Sequence, residues 1–303
     1  MDDVAWWWRH GTCRDRSLST PHNFLDLELR VILMAHIILK NVVVDFPIVN
    51  ASSHSLQLRM FQSLGGKLTS HRKTVMVRAL DGVGLELGDG DRLGIIGHNG
   101  SGKTTLLRVL AGVYSPVQGS ATITGSISSF TDLTLGMDPE STGWENIIFR
   151  CAFMGLSFHE AKRLCPAIAE FSELGEYLHL PTRTYSAGMY LRLAFAISTS
   201  IQPEILVMDE MISAGDAQFM EKARQRLSEV VGKANILVLA SHDMEVIQSI
   251  CNKVMWLERG AIKQFGSTER VVHAYESFNR MATADRRPLP DDRSAYNRQT
   301  LLA

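Results

Sequence analysis

The chain has 303 residues, of which 45% are hydrophobic and 21% charged, and its formal net charge is −1. This composition is that of an ordinary globular protein with one large α/β domain or two smaller ones. The balanced charge, without a long basic run, argues against nucleic acid as a partner. The 4 cysteines are scattered and form no C-x-x-C pair, which predicts reduced thiols in a cytosolic compartment. No stretch reaches the about 20 apolar residues that a spanning helix needs, so we expect any membrane attachment to go through another subunit.

The two ends of the chain differ from its middle. Residues 1–33 show neither a helical nor a strand period and lack the features of a signal peptide. We interpret them as a disordered or mis-annotated extension, with translation starting at Met34. Residues 279–303 are predicted to be a polar tail. The intervening region, 35–278, is predicted to be one folded domain.

Within this domain, strand and helix patterns alternate in chain order. A β-rich run at 36–46 is followed by a short amphipathic helix at 56–64, and strands are predicted at 75–80, 84–87, 93–96 and 119–125. Residues 144–201 have a helical period with breaks at Pro166, Gly175 and Pro181. Strands at 205–208 and 236–240 then alternate with helices at 217–231 and 245–251, before a hairpin at 254–264. The order predicts a three-layer α/β core with a helical insertion.

Residues 97–105 read GHNGSGKTT, directly after an apolar run and before a helical stretch. This is the strand–loop–helix setting that a phosphate-binding loop requires. The glycines let successive N–H groups turn toward a phosphate chain, and the helix N-terminus adds partial positive charge. Lys103 supplies a full charge for the outer phosphates, and Thr104 offers a hydroxyl to Mg²⁺. The predicted nucleotide-binding residues are Gly97, His98, Asn99, Gly100, Ser101, Gly102, Lys103, Thr104 and Thr105.

Two acids follow the apolar strand at 205–208. Beside a phosphate loop, Asp209 is predicted to hold Mg²⁺, directly or through water, next to Thr104. Glu210 is then placed to orient and deprotonate the attacking water. The alternative is that both acids cap the following turn.

Two further residues occupy positions where anions bind. Ser186 precedes an apolar helix and is predicted to be its N-cap, which leaves free N–H groups as a second anion site. His242 follows the strand at 236–240, at the sheet edge where ligands gather. Taken singly, Ser186 is most often just a helix cap, and His242 is usually structural.

In this order, the segments resemble the nucleotide-binding subunit of an ABC transporter. Residues 97–104 match its Walker A motif, 185–189 the signature motif, 205–210 Walker B, 214–216 the D-loop, and His242 the switch histidine. The resemblance covers residues 37–275. It implies a P-loop NTPase fold of α/β class, with an antiparallel β subdomain and a helical subdomain at about 140–200.

The resemblance also implies ATP hydrolysis with Mg²⁺ by a homodimer. In that family each ATP lies between the Walker A loop of one chain and the signature motif of the other. The signature residues here are Ser186, Ala187, Gly188 and Met189, and the D-loop includes Gly215 and Asp216. Phe46 is a candidate to stack on adenine, although a core phenylalanine is an equal alternative.

Two departures from the usual family pattern indicate a particular group within the family. The signature reads YSAGM, and residues 130–137 contain no glutamine of the kind that senses Mg²⁺ and the membrane partner. Both features look like the ABC subunits that export O-antigen, capsular or teichoic-acid polysaccharides. Asp132 and Glu140 are our hypotheses for the residues that replace the glutamine in coupling.

The implied function is to drive a lipid-linked polysaccharide across the inner membrane. The protein would act at the cytoplasmic face with an integral-membrane permease, and we expect the sugar to be recognised outside this chain. One alternative is the ATPase subunit of another ABC transporter, a drug exporter or an importer. A second alternative, from a different class, is a soluble ABC-type regulatory protein.

Overall fold

The computed structural model describes residues 35–48, 67–71, 74–209 and 217–284. Several predicted features lie outside these ranges: the extension at 1–33, the helix at 56–64, Glu210, the D-loop residues Gly215 and Asp216, and the tail beyond residue 284. What the sequence indicates for them stays a prediction.

The described residues contain ten strands and seven α-helices. The strands are β1 (His36–Ile48), β2 (Lys67–His71), β3 (Thr74–Leu87), β4 (Arg92–Ile96), β5 (Gln118–Thr124), β6 (Ile127–Ser129), β7 (Ile205–Asp209), β8 (Ile236–Ala240), β9 (Lys253–Glu258) and β10 (Ala261–Ser267). The helices are α1 (Lys103–Leu110), α2 (Gly143–Phe153), α3 (Phe158–Ser172), α4 (Ala187–Ser198), α5 (Ala217–Lys233), α6 (Met244–Ile250) and α7 (Thr268–Ala284). Helix α7 runs across the predicted domain boundary at residue 279.

Six strands form a mostly parallel sheet in the order β10-β9-β4-β8-β7-β6. Strands β7 and β8 read ILVMD and ILVLA, and β8 is buried along its whole length. Such continuous apolar runs are typical of parallel strands that are covered on both faces. Strand β10 pairs antiparallel with β9 at the edge, which confirms the predicted hairpin.

The second sheet is antiparallel and has the order β2-β3-β1-β5. The sequence interpretation of two separate strands at 75–80 and 84–87 is wrong, because β3 is continuous. Its middle stays paired with β1, where Leu80 lies opposite Val44 and Val83 opposite Val42. Gly82, with φ of 73°, lies at this irregularity in register, and a β-bulge absorbs the turn-like residues without ending the strand.

Two hydrophobic cores give the three-layer arrangement that the sequence predicts. One core joins α1 and the inner face of the antiparallel sheet to one face of the parallel sheet, through residues such as Ile95 and Val207. Alternate residues of the same strands, such as Ile96 and Leu206, face the second core with helices α2–α7. The predicted α/β fold class is therefore confirmed.

Helices α2 and α3 begin at capping boxes. The Thr142 hydroxyl accepts the Glu145 N–H, and the Ser157 hydroxyl accepts the Glu160 N–H, while each glutamate side chain accepts the N–H of its cap residue. The predicted break at Pro166 is wrong, because α3 continues through it. Pro166 lies on the exposed side of α3, where water can bind the carbonyl that the proline leaves without a donor.

None of the helices in the described ranges is long and apolar enough to cross a membrane.

Candidate nucleotide-binding site

The carboxyl ends of three parallel strands meet at one edge of the large sheet. Ile95 of β4 pairs with Ala240 of β8, and Ala240 pairs with Asp209 of β7. The phosphate loop begins at Gly97, and His242 follows Ala240 by two residues. The register therefore brings three distant segments to the edge where ligands of α/β sheets bind.

Residues 97–102 form a tight loop between β4 and α1. Gly97, Gly100 and Gly102 have φ of 150°, 78° and 108°, in the region that favours glycine. Among the described residues, no side chain caps α1, and its first turn contains no acidic residue. The free N–H groups and the positive end of the helix dipole are therefore available to an anion.

The β9–β10 turn braces this loop. A Cβ on Gly97 would lie 2.3 Å from the carbonyl oxygen of Leu257, so only glycine fits there. The Gly260 N–H donates to the carbonyl of Ser101 over 2.9 Å, and Ser101 is buried. Sequence reasoning missed this brace because the turn is more than a hundred residues away along the chain and its own pattern indicates only a hairpin.

Lys103 is held inside the phosphate loop. Its ammonium donates to the carbonyl of Gly97 over 2.8 Å and to that of His98 over 3.3 Å. The same Nζ lies 3.3 Å from Nε2 of His242. The structure thus brings Lys103, which the sequence assigns to the outer phosphates, next to His242, the predicted switch histidine. The His98 ring is turned toward the backbone of the next residue, with Nδ1 2.7 Å from the carbonyl oxygen of Asn99.

Thr104 and Asp209 are in direct contact. The Thr104 hydroxyl donates to Oδ2 of Asp209 over 2.9 Å, although 105 residues separate the two in sequence. A hydroxyl and a carboxylate are hard oxygen ligands of the kind that Mg²⁺ takes beside nucleotide phosphates. The two side chains therefore fit the ion that the sequence predicts.

Phe46 is half-buried next to α1. Its ring packs edge-on against Tyr114, with 5.2 Å between the centroids. Arg108 holds Tyr114 in place, because its guanidinium donates to the phenol oxygen over 2.9 Å. Both roles considered for Phe46, an adenine platform and a core residue, are compatible with this position.

Ser186 is the N-cap of α4. Its hydroxyl accepts the Met189 N–H over 3.2 Å, so the capping prediction is confirmed. The residue is exposed. The second anion-binding role of Ser186, Ala187, Gly188 and Met189 stays a prediction.

The segment 130–142 connects the end of β6 to the N-cap of α2. It contains both residues suggested as substitutes for the missing glutamine. Asp132 accepts the N–H and the hydroxyl of Thr134 over 3.0 and 2.9 Å. Glu140 pairs with Arg183 over 3.1 Å. Both acids are exposed, and within the described ranges the hydrogen bonds and ion pair of their side chains go to Thr134 and Arg183 rather than to the phosphate loop.

Two buried residues of α2 that the sequence analysis missed organise this segment. Asn146 is 0% exposed; its side chain accepts the Asp138 N–H over 2.7 Å and donates to the carbonyls of Asp138, Ser141 and Thr142. Arg150 lies one turn further along, also buried. A polar residue within the apolar run IIFRCAF was the available signal for Arg150.

The fold and the site define a phosphate-loop nucleotide-binding protein, and comparisons with known proteins agree. The family described as ABC transporter matches residues 80–213. The chain is 46% identical to the O-antigen export system ATP-binding protein RfbE of Yersinia enterocolitica over 231 residues, 76% of this chain and 97% of that one.

Another relative and a solved structure are also ATP-binding proteins of this kind. The teichoic acids export ATP-binding protein TagH of Staphylococcus epidermidis is 40% identical over 66% of this chain and 75% of its own. A solved dimeric ATP-binding cassette in a post-hydrolysis state with ADP and phosphate has a TM-score of 0.55 at 20% identity, covering 77% of this chain and 98% of its own. This structural likeness concerns the fold.

The chain belongs to the ABC transporter family, as an ATP-binding subunit with ATPase activity.

Proposed function

We propose that this protein hydrolyses ATP to drive the export of a lipid-linked polysaccharide, of the O-antigen or teichoic-acid kind. The observation that carries the proposal is the match to an O-antigen export subunit along 97% of that protein's length. A teichoic acid export subunit also matches, at 40% identity. The two relatives are named for different cargoes, but both cargoes are cell-envelope glycans.

The proposed chemistry is in-line attack of water on the γ-phosphate of ATP. Glu210 orients the water and accepts its proton. Lys103 leaves the loop carbonyls of Gly97 and His98 and turns to the phosphates, where its charge offsets the developing negative charge. His242, 3.3 Å from Lys103, contacts the γ-phosphate. Mg²⁺, held by Thr104 and Asp209, would neutralise part of the phosphate charge when bound.

The proposed active unit is a homodimer with two shared ATP sites. Ser186 and Gly188 of the partner subunit close each site with the free N–H groups at the start of α4. Ser186 is exposed, which leaves its hydroxyl and the start of α4 accessible to the ATP of a partner subunit. Gly215 and Asp216 of the D-loop would lie along the same interface, and Phe46 would stack on adenine.

A membrane permease is the second proposed partner, and an apolar surface of α2 is its proposed contact. Phe149 and Phe153 lie four residues apart on this helix and are 49% and 64% exposed. Leu135, 49% exposed, lies beside them, since the adjacent Gly136 packs against the Phe153 ring. A contiguous exposed apolar patch often marks an interaction site, whereas single exposed apolar residues do not. Leu135 lies on the segment 130–142, which leads from the ATP-binding edge of the sheet to α2.

The proposal includes a location at the cytoplasmic face of the inner membrane, with attachment through the permease. Sugar recognition would reside in the permease or in the lipid carrier.

A genetic replacement in the native host tests the export function. Deletion of the gene should leave lipid-linked glycan inside the cell and remove it from the surface. The parental gene should restore export, whereas Glu210→Gln should not, because losing a general base slows hydrolysis on the order of 10²–10⁴-fold. Unchanged surface glycan in the deletion strain would refute the cargo, and export supported by Glu210→Gln would refute the role of this residue.

A further inference from the structure

Arg150 is a buried cation in a mainly apolar helix. The residue as a whole is only 3% exposed. Within the described part of the chain, no carboxylate forms a salt bridge with it, and its Nε has no hydrogen-bond partner. Burial lowers the pKa of Arg150 to about 10, and the nearby Asp132 opposes this shift. The guanidinium therefore remains protonated at neutral pH.

Burying a cation of this kind makes the free energy of folding less favourable. Removing a guanidinium from water without an ion-pair partner costs free energy that an apolar side chain of similar size would not cost. Packing alone therefore gives no reason for an arginine here, since methionine could fill a comparable volume. What methionine could not provide is the pair of hydrogen bonds that Arg150 makes.

These hydrogen bonds join two different parts of the molecule. One terminal nitrogen donates to the carbonyl of Leu135, in the segment 130–142. The other donates to the hydroxyl of Ser198 over 3.0 Å. Ser198 is the last residue of α4, and its hydroxyl donates in turn to the Ala194 carbonyl over 2.8 Å. Arg150 of α2 thus links the segment 130–142 to α4 by hydrogen bonds, and the bond to α4 is buried.

The segment 130–142 and α4, which Arg150 links, each have one end at an ATP site of the proposed dimer. The segment starts beside the Walker B strand, where the Phe130 N–H donates to the carbonyl of Val207 over 2.8 Å. Two residues further along β7 is Asp209. The other element, α4, begins at Ser186, which in the proposed dimer acts on the ATP of the partner subunit. A rigid helix moves as a unit, so a shift at Ser198 is carried to Ser186.

We propose that Arg150 is a positioning residue that couples the two ATP sites of the dimer. When nucleotide in one chain's own site shifts the segment 130–142, the guanidinium carries α4 and its Ser186 along. This inference rests on the proposed homodimer with shared ATP. It adds a named link between a chain's own nucleotide and the signature helix that it lends to the partner.

The test is ATP-dependent dimerisation of the full chain in a Glu210→Gln background, measured by light scattering against Mg-ATP concentration. We expect Arg150→Met to raise the ATP concentration for half-dimerisation by about tenfold or more, because a hydrogen bond to a charged group is lost. ATP affinity of the monomer, measured with a fluorescent analogue at low protein concentration, should stay within about twofold, as for an untouched site. Arg150→Lys should recover part of the loss.

Two further variants serve as a control and as a substitute for Arg150→Met. Arg163→Met, the same change at an exposed position of α3, should dimerise like the parent. If Arg150→Met does not fold, Ser198→Ala removes only the bond to α4 and should still raise the half-dimerisation concentration several-fold, roughly as for a single hydrogen bond.

The outcomes separate the two proposals. A Glu210→Gln parent that stays monomeric with Mg-ATP would refute the dimer and the coupling together. A parent that dimerises, with Arg150→Met or Ser198→Ala dimerising at the same ATP concentration, would refute only the coupling. A loss of monomer ATP affinity equal to the shift in dimerisation would also refute it, because Arg150 would then act on binding itself.

Discussion

At the scale of single residues, local motifs predicted contacts between distant positions. The hydrogen bond from Thr104 to Asp209 and the approach of Lys103 to His242 join residues more than a hundred positions apart. They were predictable because each motif ends a strand of one parallel sheet, and the strand ends share an edge. Arg150 was not predictable in this way, since its partners depend on how three separate segments pack.

The position of Lys103 leads to the first prediction. Lys103→Ala should weaken ATP binding by roughly tenfold or more, because charge-assisted hydrogen bonds to the phosphates are lost. Isothermal titration with Mg-ATP measures this change. Lys40→Ala, at an exposed residue of β1, is the matched control and should bind as the parent does. Equal affinities in both variants would refute the assignment of the phosphate loop.

At the scale of elements, the sequence predicted which segments are regular better than where they end. Residues 81–83 separate two predicted strands, yet β3 is continuous because pairing with β1 holds both sides of the bulge. Pro166 reads as a helix break, yet α3 continues because Ala161, Ile168 and Phe171 bury its opposite face. In both cases tertiary packing outweighs a local preference that sequence alone reports.

The second prediction concerns the proline in α3. Pro166→Ala should raise the free energy of unfolding by roughly 1 kcal/mol, since the restored backbone hydrogen bond outweighs the added entropy of the unfolded chain. Ser157→Ala, which removes the capping box of the same helix, should lower it by about 1 kcal/mol. Urea unfolding measures both. A loss of stability in Pro166→Ala would mean that the ring makes packing contacts that matter more than the missing bond.

At the scale of the whole molecule, two thiols buried in one core make stability depend on pH at high pH. Cys151 and Cys251 belong to the core on the helical side of the large sheet. Burial raises the pKa of Cys151 to about 11 and that of Cys251 to about 12, from an ordinary value of 9.0. Above about pH 9 the unfolded chain therefore loses thiol protons that the folded chain keeps.

This difference gives the third prediction. Because the folded state binds more protons above pH 9, stability should be constant with respect to these thiols below about pH 8 and fall as pH rises. Complete titration corresponds to roughly 1.4 kcal/mol per pH unit for each thiol. Urea unfolding at pH 7.5, 8.5 and 9.5 gives the slope. The Cys151→Ala, Cys251→Ala double variant should show a smaller slope, and an identical slope would contradict the burial argument.

The proposed arrangement of the subunits involves residues of two chains. The proposed dimer needs two copies, because in this proposal the phosphate loop and the α4 N-terminus of one chain serve different ATP molecules. The sequence suggested this only through resemblance, since no pattern within one chain encodes an interface with its copy. The exposed position of Ser186 leaves this N-cap accessible to a second copy.

The most direct test is an experimental structure of the Glu210→Gln variant with Mg-ATP bound. We predict a two-fold dimer in which the phosphates of each ATP contact Lys103 of one protomer and Ser186 of the partner subunit. A nucleotide whose phosphates contact only residues of a single protomer, in a variant shown to bind Mg-ATP, would contradict the account.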